Sequence, residues 1–216
     1  MGAIPLYHEE IEYPTSDGEP IAETGIHLDV IFELVDALER RYRDVPDVWI
    51  QANFFLCYEE GNPRAFVCPD VALTRGIPKG LRDNYLLWQE RAPSLIVEAT
   101  SPSTARDDLG KKKGIYERIG AEEYLLFDPR GESLKPRLQG YRLEGSRYIP
   151  IPSEPDGSLL SRTTGLLLRP EGSRLRLTDA ATGEPIPWRD EAHRMWEEAE
   201  ERARRLEEEL ARLRTQ

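Results

Sequence analysis

The sequence predicts an α/β protein, a mixed β-sheet core flanked by helices, with extra β-hairpins and a long C-terminal helix. Three observations carry this prediction. An amphipathic helical pattern precedes runs rich in Val, Ile and Phe. Two short apolar runs, "PSLIVEAT" and "EEYLLFDP", flank a segment of helix length. Apolar residues in the final stretch recur at alternating steps of three and four.

In chain order, "GIHLDVIFELVDALERRY" sets Ile31, Leu34, Val35 and Leu38 at helical spacing, which predicts a helix from Gly25 to about Tyr42 with His27 on its apolar face. "VWIQANFFLCYEEGNPRAFVCPDVALTRG" holds two β-prone runs around the turn signal "EEGNPR" and predicts a β-hairpin. Cys57 and Cys68 flank that turn and, in a reducing compartment, are expected to be buried small apolar residues. "PSLIVEAT" has strand length, and "SPST" offers N-cap residues for a helix from about Ala105 to Ile119, ended by Gly120. "EEYLLFDP" is then a second buried strand, parallel to the first because a helix crosses between them. After Pro129, "RLQGYRLEGSRYIPI" and "GLLLRPEGSRLRLTD" read as hairpins added to one side of the sheet. The end of the chain carries a heptad seam of Trp196, Ala199, Ala203, Leu206, Leu210 and Leu213. The expected organisation is an acidic arm over 1–24, a main domain over 25–189 and a coiled-coil helix over 190–216 that makes a homodimer, with the orientation of the two helices left open.

Composition narrows the function. The chain has 216 residues, 39% hydrophobic and 32% charged, with two cysteines, which fits a globular protein and not a disulfide scaffold. The opening stretch is acidic without an apolar run, and no stretch nears the roughly 20 apolar residues that span a bilayer, so a cytoplasmic location without membrane contact is expected. A net charge of −11 argues against nucleic acid until its distribution is considered. The arm carries −6 and the final helix −3, leaving −2 between them, with a local basic cluster of Arg106, Lys111, Lys112, Lys113 and Arg118. That cluster is either a solvated helix face or a phosphate-binding patch.

Two acids stand at apolar strands: Asp70 after Pro69 in "CPDVAL", within the second hairpin strand, and Glu98 inside "LIVEAT". A charge buried there without a partner costs several kcal/mol, and two acids on adjacent strands can converge on one hard divalent cation, Mg²⁺ or Mn²⁺. The alternatives are that Asp70 caps a turn and that Glu98 pairs with an arginine. Projected at about 100° per residue, the helix after "SPST" gathers Leu109, Ile115, Tyr116 and Ile119 on one side with Lys112 near the centre. Asp108 and Tyr116, four residues to either side of Lys112, share its face, whereas Lys111 and Lys113 fall on the flanks as surface lysines. A lysine so placed either snorkels out or meets acids, and two acids stand on the neighbouring strands.

"PDV", "VEATSPST" and the order Asp, Lys, Tyr, Gly, "EYLLFDP" resemble the PD-(D/E)XK nuclease superfamily, and within it the Uma-type family of restriction-endonuclease-like proteins, over about Gly25 to Pro129. The resemblance implies that Asp70 is the motif aspartate, Glu98 the motif glutamate and Lys112 the motif lysine. Thr100 occupies the usual lysine position two residues after the glutamate, so the lysine has moved to the following helix. It further implies Mg²⁺- or Mn²⁺-dependent hydrolysis of phosphodiester bonds, with DNA as the nucleic-acid substrate. Asp70, Glu98 and the backbone carbonyl of Ala99 would hold the metal, and Lys112 would orient water or stabilise phosphate charge. Asp108 would tune the lysine or serve a second metal, with Tyr116 beside it. His27 either approaches from the first helix or is a packed core histidine. Arg106, Lys111 and Lys113 would attract the phosphate backbone. A second reading is a catalytically silent nuclease-fold protein that binds nucleic acid or a protein through its C-terminal helix; the presence of both acids and the inward lysine favours the enzyme. A small-molecule hydrolase is disfavoured, because the chain has no Gly-rich nucleotide loop, nucleophile elbow or metal-binding His cluster.

Overall fold

A computed structural model describes residues 13–14 and 25–214. All of the acidic arm except Tyr13 and Pro14 therefore lies outside the described residues. The first helix, α1 (Gly25–Arg41), buries Val30, Ile31, Leu34, Ala37 and Leu38 and ends with Arg40 and Arg41 near its negative pole. The expected hairpin forms only at its legs. β1 (Val48–Ala52) pairs antiparallel with β4 (Val71–Arg75). Its tip folds away, as β2 (Leu56–Cys57) and β3 (Phe66–Val67) join β5 (Tyr85–Leu86) in a small separate sheet. The break falls at Asn53, which has φ 48° and whose N–H is shared by the carbonyls of Pro69 and Asp70. Cys57 therefore faces Phe66 across the tip, and Cys68 is only half-buried instead of being a core residue. Asp70 immediately precedes β4 instead of lying within it.

β6 (Leu95–Ala99) is buried at every position and pairs antiparallel with β4. The crossover that follows is one helical segment in three parts: α2 (Ala105–Asp107), a π-helical turn (Asp108–Lys112) and α3 (Lys113–Ile119). Gly120 closes it with a left-handed φ of 82°, a conformation glycine adopts without penalty. Thr104 does not cap its start; its hydroxyl instead accepts the N–H of Ser101 at 3.0 Å, folding the "SPST" turn back on itself. β7 (Glu123–Phe127) pairs parallel with β6, as the crossover requires.

The hairpin of β8 (Leu138–Glu144) and β9 (Arg147–Pro150) extends this sheet to six strands, in the order β1-β4-β6-β7-β8-β9. A separate three-stranded sheet follows: β10 (Leu159–Ser161), β11 (Leu166–Glu171) and β12 (Arg174–Asp179). Of the two hairpins expected beside the sheet, the first is thus part of it. α4 (Arg189–Arg214) closes the description with no buried residue.

Strand alternation divides the core. Leu95, Val97 and Ala99 face α1 and the second sheet, together with Leu125 and Phe127. Ile96 faces the crossover helix with Tyr116, Tyr124 and Leu126. Glu123 shares the first face, where Arg142 pairs with it at 2.8 Å, the Thr163 hydroxyl donates to it at 2.9 Å and Ser161 also donates, which ties the two sheets together. Gly140 in β8 is required by packing. A Cβ there would stand 2.6 Å from Leu125 Cδ2 and 2.9 Å from Leu159 Cδ1, both in fully buried side chains. Gly140→Ala is therefore expected to destabilise the fold by about 1–3 kcal/mol through overpacking, as read by denaturant unfolding.

Candidate active site

Sheet register sets the two acids against each other. Val71 pairs with Val97 and Ala72 with Ile96, so continuing the antiparallel register by one residue puts Asp70 opposite Glu98. Asp70 Oδ2 accepts the N–H of Ala99 at 2.7 Å, which fixes the end of β6 against the start of β4. Glu98 is fully buried, and its partners come from the crossover helix, not from an arginine. Lys112 Nζ lies 2.8 Å from Oε2, and the Tyr116 hydroxyl donates to Oε1 at 2.7 Å. Lys112 Nζ also stands 3.3 Å from Asp108 Oδ1. From α1, His27 Nε2 lies 3.5 Å from Asp70 Oδ1.

The π turn corrects the helical projection. It takes more residues per turn than the 3.6 of an α helix, so side chains before it rotate relative to those after it. Leu109, expected on the buried stripe, is 39% exposed, while Asp108 turns inward to 1%. The inward column is therefore Asp108, Lys112, Ile115 and Tyr116, with Lys112 half-buried at the cleft. The Tyr124 hydroxyl donates to the Asp108 backbone carbonyl at 3.0 Å, satisfying a backbone acceptor at the start of the wider turn. Of the flanking lysines, Lys111 is exposed as expected. Lys113 is not a free surface lysine: it is half-buried, with its ammonium 3.6 Å from the centre of the Tyr141 ring. Arg106 is exposed one turn before Lys111.

Charge is unevenly matched here. Burial pushes the Glu98 carboxyl well above its ordinary range, the charge of Asp70 adds to this, and Lys112 only partly offsets it. Burial also opposes ionisation of Asp70, but the His27 imidazole, Lys112 and the Ala99 N–H outweigh it and hold that carboxyl below its ordinary range. For Lys112, burial disfavours the charge, yet Glu98, Asp108 and Asp70 together prevail and keep it protonated. Burial and then Glu98 raise the Tyr116 hydroxyl, so it remains a donor. Three buried acids thus share one ammonium. A hard divalent cation fits the unbalanced charge and the oxygen donors of Asp70 and Glu98. Among the described residues no three His, Cys, Asp or Glu side chains gather as a metal cage, so backbone oxygen and water would complete the coordination.

Asp70 and Lys112 line a cleft of about 540 Å³ with His27, Asn53, Thr100, Ser101, Ser103, Arg130 and Glu132, and fully buried Glu98 is not part of its lining. A larger groove of about 850 Å³ lies between the second sheet and α4, where Arg176 is matched to Glu191 at 2.8 Å and Arg169 to Asp156 at 3.4 Å, so both arginines are already paired. Two cleft residues were given no catalytic or binding role by the sequence reading. Thr100, two residues after Glu98, has a buried hydroxyl without a hydrogen-bond partner among the described residues. Asp128, in the "FDP" that ends β7, accepts N–H groups from Arg130, Gly131, Ser133 and Leu134 and so shapes the loop that carries Arg130 to the cleft.

A mixed sheet with a parallel central pair, a helical crossover and opposed acids at its strand ends defines the restriction-endonuclease-like nuclease folds. The chain belongs to the family described as "Uma2: Putative restriction endonuclease", whose model matches residues 4–171. Among solved structures it is similar to a protein of Anabaena variabilis described as "a putative nuclease belonging to DUF820", with a TM-score of 0.48 and 15% identity, covering 66% of this chain and 75% of that one. No curated protein matches the chain.

Proposed function

We propose that this protein is a metal-dependent endonuclease that hydrolyses phosphodiester bonds of DNA, using Mg²⁺ or Mn²⁺. The observation that carries the reading is the convergence of Asp70 and Glu98 from adjacent strands with Lys112 from the crossover helix, 2.8 Å from Glu98. Asp70, Glu98 and the Ala99 carbonyl would hold the metal, which when bound supplies Lewis-acid activation of water and of a phosphoryl oxygen. Lys112 stays protonated beside its acids, so it acts as a hydrogen-bond donor and a fixed positive charge toward the phosphate, not as a base. Asp108 orients that ammonium, Tyr116 fixes the Glu98 carboxylate through its other oxygen, and His27 orients the Asp70 carboxylate from α1. Arg106 and Lys111, both exposed on the crossover, attract the phosphate backbone at longer range. Lys113 has a smaller part in this because its charge is already directed at Tyr141.

The same reading has the protein act in the cytoplasm and associate as a homodimer through α4. Among the described residues no helix is long and apolar enough to cross a membrane. The test is incubation of the purified protein with supercoiled plasmid and with single-stranded DNA and RNA, in Mg²⁺, Mn²⁺ and EDTA. Cleavage of plasmid that EDTA abolishes is the expected result. No cleavage of any substrate under either metal would overturn the enzyme and favour a silent nuclease fold.

A further inference from the structure

α4 is anchored only at its start. The Arg189 N–H donates to Glu33 at 3.0 Å, Arg174 pairs with Asp190 at 2.7 Å, and Arg176 pairs with Glu191 at 2.8 Å. Beyond that turn nothing in the described chain covers the apolar seam, where Trp196, Leu206, Leu210 and Leu213 are each more than half exposed. The helix also lies beyond residue 171, where the family match ends. An exposed seam at heptad spacing calls for another helix.

We propose that the occupant is α4 of a second copy of this chain, paired parallel and in register. Charge decides the orientation. With Trp196, Ala203 and Leu210 at a and Ala199, Leu206 and Leu213 at d, Arg202 and Glu209 fall at g, and Glu200, Glu207 and Arg214 at e. In a parallel pair each g residue faces the e residue five positions on in its partner. Arg202 then meets Glu207 and Glu209 meets Arg214, and each pair occurs twice by symmetry. In an antiparallel pair e faces e and g faces g, so the attraction of Arg202 for Glu209 is cancelled by the repulsion of Glu200 and Glu207, whereas every charged pair of the parallel arrangement is attractive. None of Arg202, Glu207, Glu209 and Arg214 has an ion pair within the described chain: the intrahelical pairs are His193 with Glu197, Arg194 with Asp190 and Arg205 with Glu201. About two and a half heptads are marginal alone, so the seam sets orientation while contacts between the globular parts add affinity.

A parallel pair puts both globular domains at the same end of the seam. With the nuclease reading above, the two clefts can then serve the two strands of one duplex. The pairing rests on the homodimer proposed above and gives it an orientation, but it does not depend on nuclease activity, and its test involves no cleavage.

Sedimentation of the full chain should give a dimer. Glu207→Arg should weaken it about tenfold, because two attractive pairs become two repulsive ones; in an antiparallel pair the same change would relieve repulsion and strengthen it. Circular dichroism of the variant checks that the helix is intact. In a Cys68→Ser background, Leu213→Cys should form an intermolecular disulfide on mild oxidation. A monomer at all concentrations would overturn the seam as a self-association surface. A dimer that Glu207→Arg tightens, or that cross-links only when Trp196→Cys is mixed with Leu213→Cys, would overturn the parallel orientation.

Discussion

Lys112→Ala is expected to reduce single-turnover cleavage at saturating protein by about 10²–10³, the usual cost of removing one electrostatic donor aimed at developing charge. Lys112 is the cation on the buried face of the crossover, within 2.8 Å of Glu98 and 3.3 Å of Asp108. Its loss also removes the counter-charge of two buried acids, so the metal-free variant should melt at a lower temperature than the wild type. Divalent cation should recover much of that loss, because it replaces positive charge beside the same acids, and metal binding should persist. Lys111→Ala is the control: its side chain is exposed, and cleavage should match the wild type once substrate saturates, with the salt dependence of binding lowered by about one unit of slope. Equal rates for Lys112→Ala and wild type would show that the inward lysine balances charge without acting on phosphate.

The direction of Lys112 is legible in the sequence because a single charge centred on an apolar stripe has few alternatives, and Tyr116 four residues on lies on the same face in any helix. The π turn is not legible. It is supported by a hydroxyl from Tyr124 on the next strand, and Leu109 turns outward against its own hydrophobicity. The same holds for Lys113, whose aromatic partner Tyr141 comes from β8.

Strand order divides in a similar way. The parallel pairing of β6 and β7 follows from a helix lying between two apolar runs, a local pattern. The parallel contact of Leu56 and Cys57 with Tyr85 and Leu86 draws the hairpin tip out of the main sheet, and no short window contains it. Glu123 shows the limit most clearly. In "EEY" it resembles a surface acid, yet it is fully buried because Arg142, Ser161 and Thr163 reach it from distant strands. Glu98 stands out at once because it interrupts an apolar run in "LIVEAT".

Glu98→Gln is expected to separate the two costs carried by that residue. It removes one of two proposed carboxylate ligands, so Mn²⁺ affinity measured by calorimetry should fall by more than the roughly 10–100-fold lost when only a ligand's supporting partner is changed. Cleavage should fall with it. Unchanged Mn²⁺ binding would remove Glu98 from the metal site. Stability of the metal-free protein should move in the opposite direction as pH rises. Burial, and then Asp70, raise the folded-state pKa of Glu98 above its ordinary 4.5, so the folded chain holds this proton more tightly than the unfolded chain. Its contribution to stability is therefore fully present below pH 4.5 and is lost as pH rises through the higher folded value. Asp70 has the contrary sign: its pKa is depressed, so its contribution is present above 3.8 and is lost only in stronger acid. Glutamine does not titrate, so the difference between wild type and Glu98→Gln isolates Glu98 from the other groups. In EDTA, the wild type should lose stability relative to Glu98→Gln as pH is raised from 4.5 toward neutrality in denaturant melts, and added Mn²⁺ should restore the wild type alone. Parallel curves across that range would mean that Lys112 and Tyr116 already satisfy the Glu98 charge, leaving no electrostatic demand for a metal at this position.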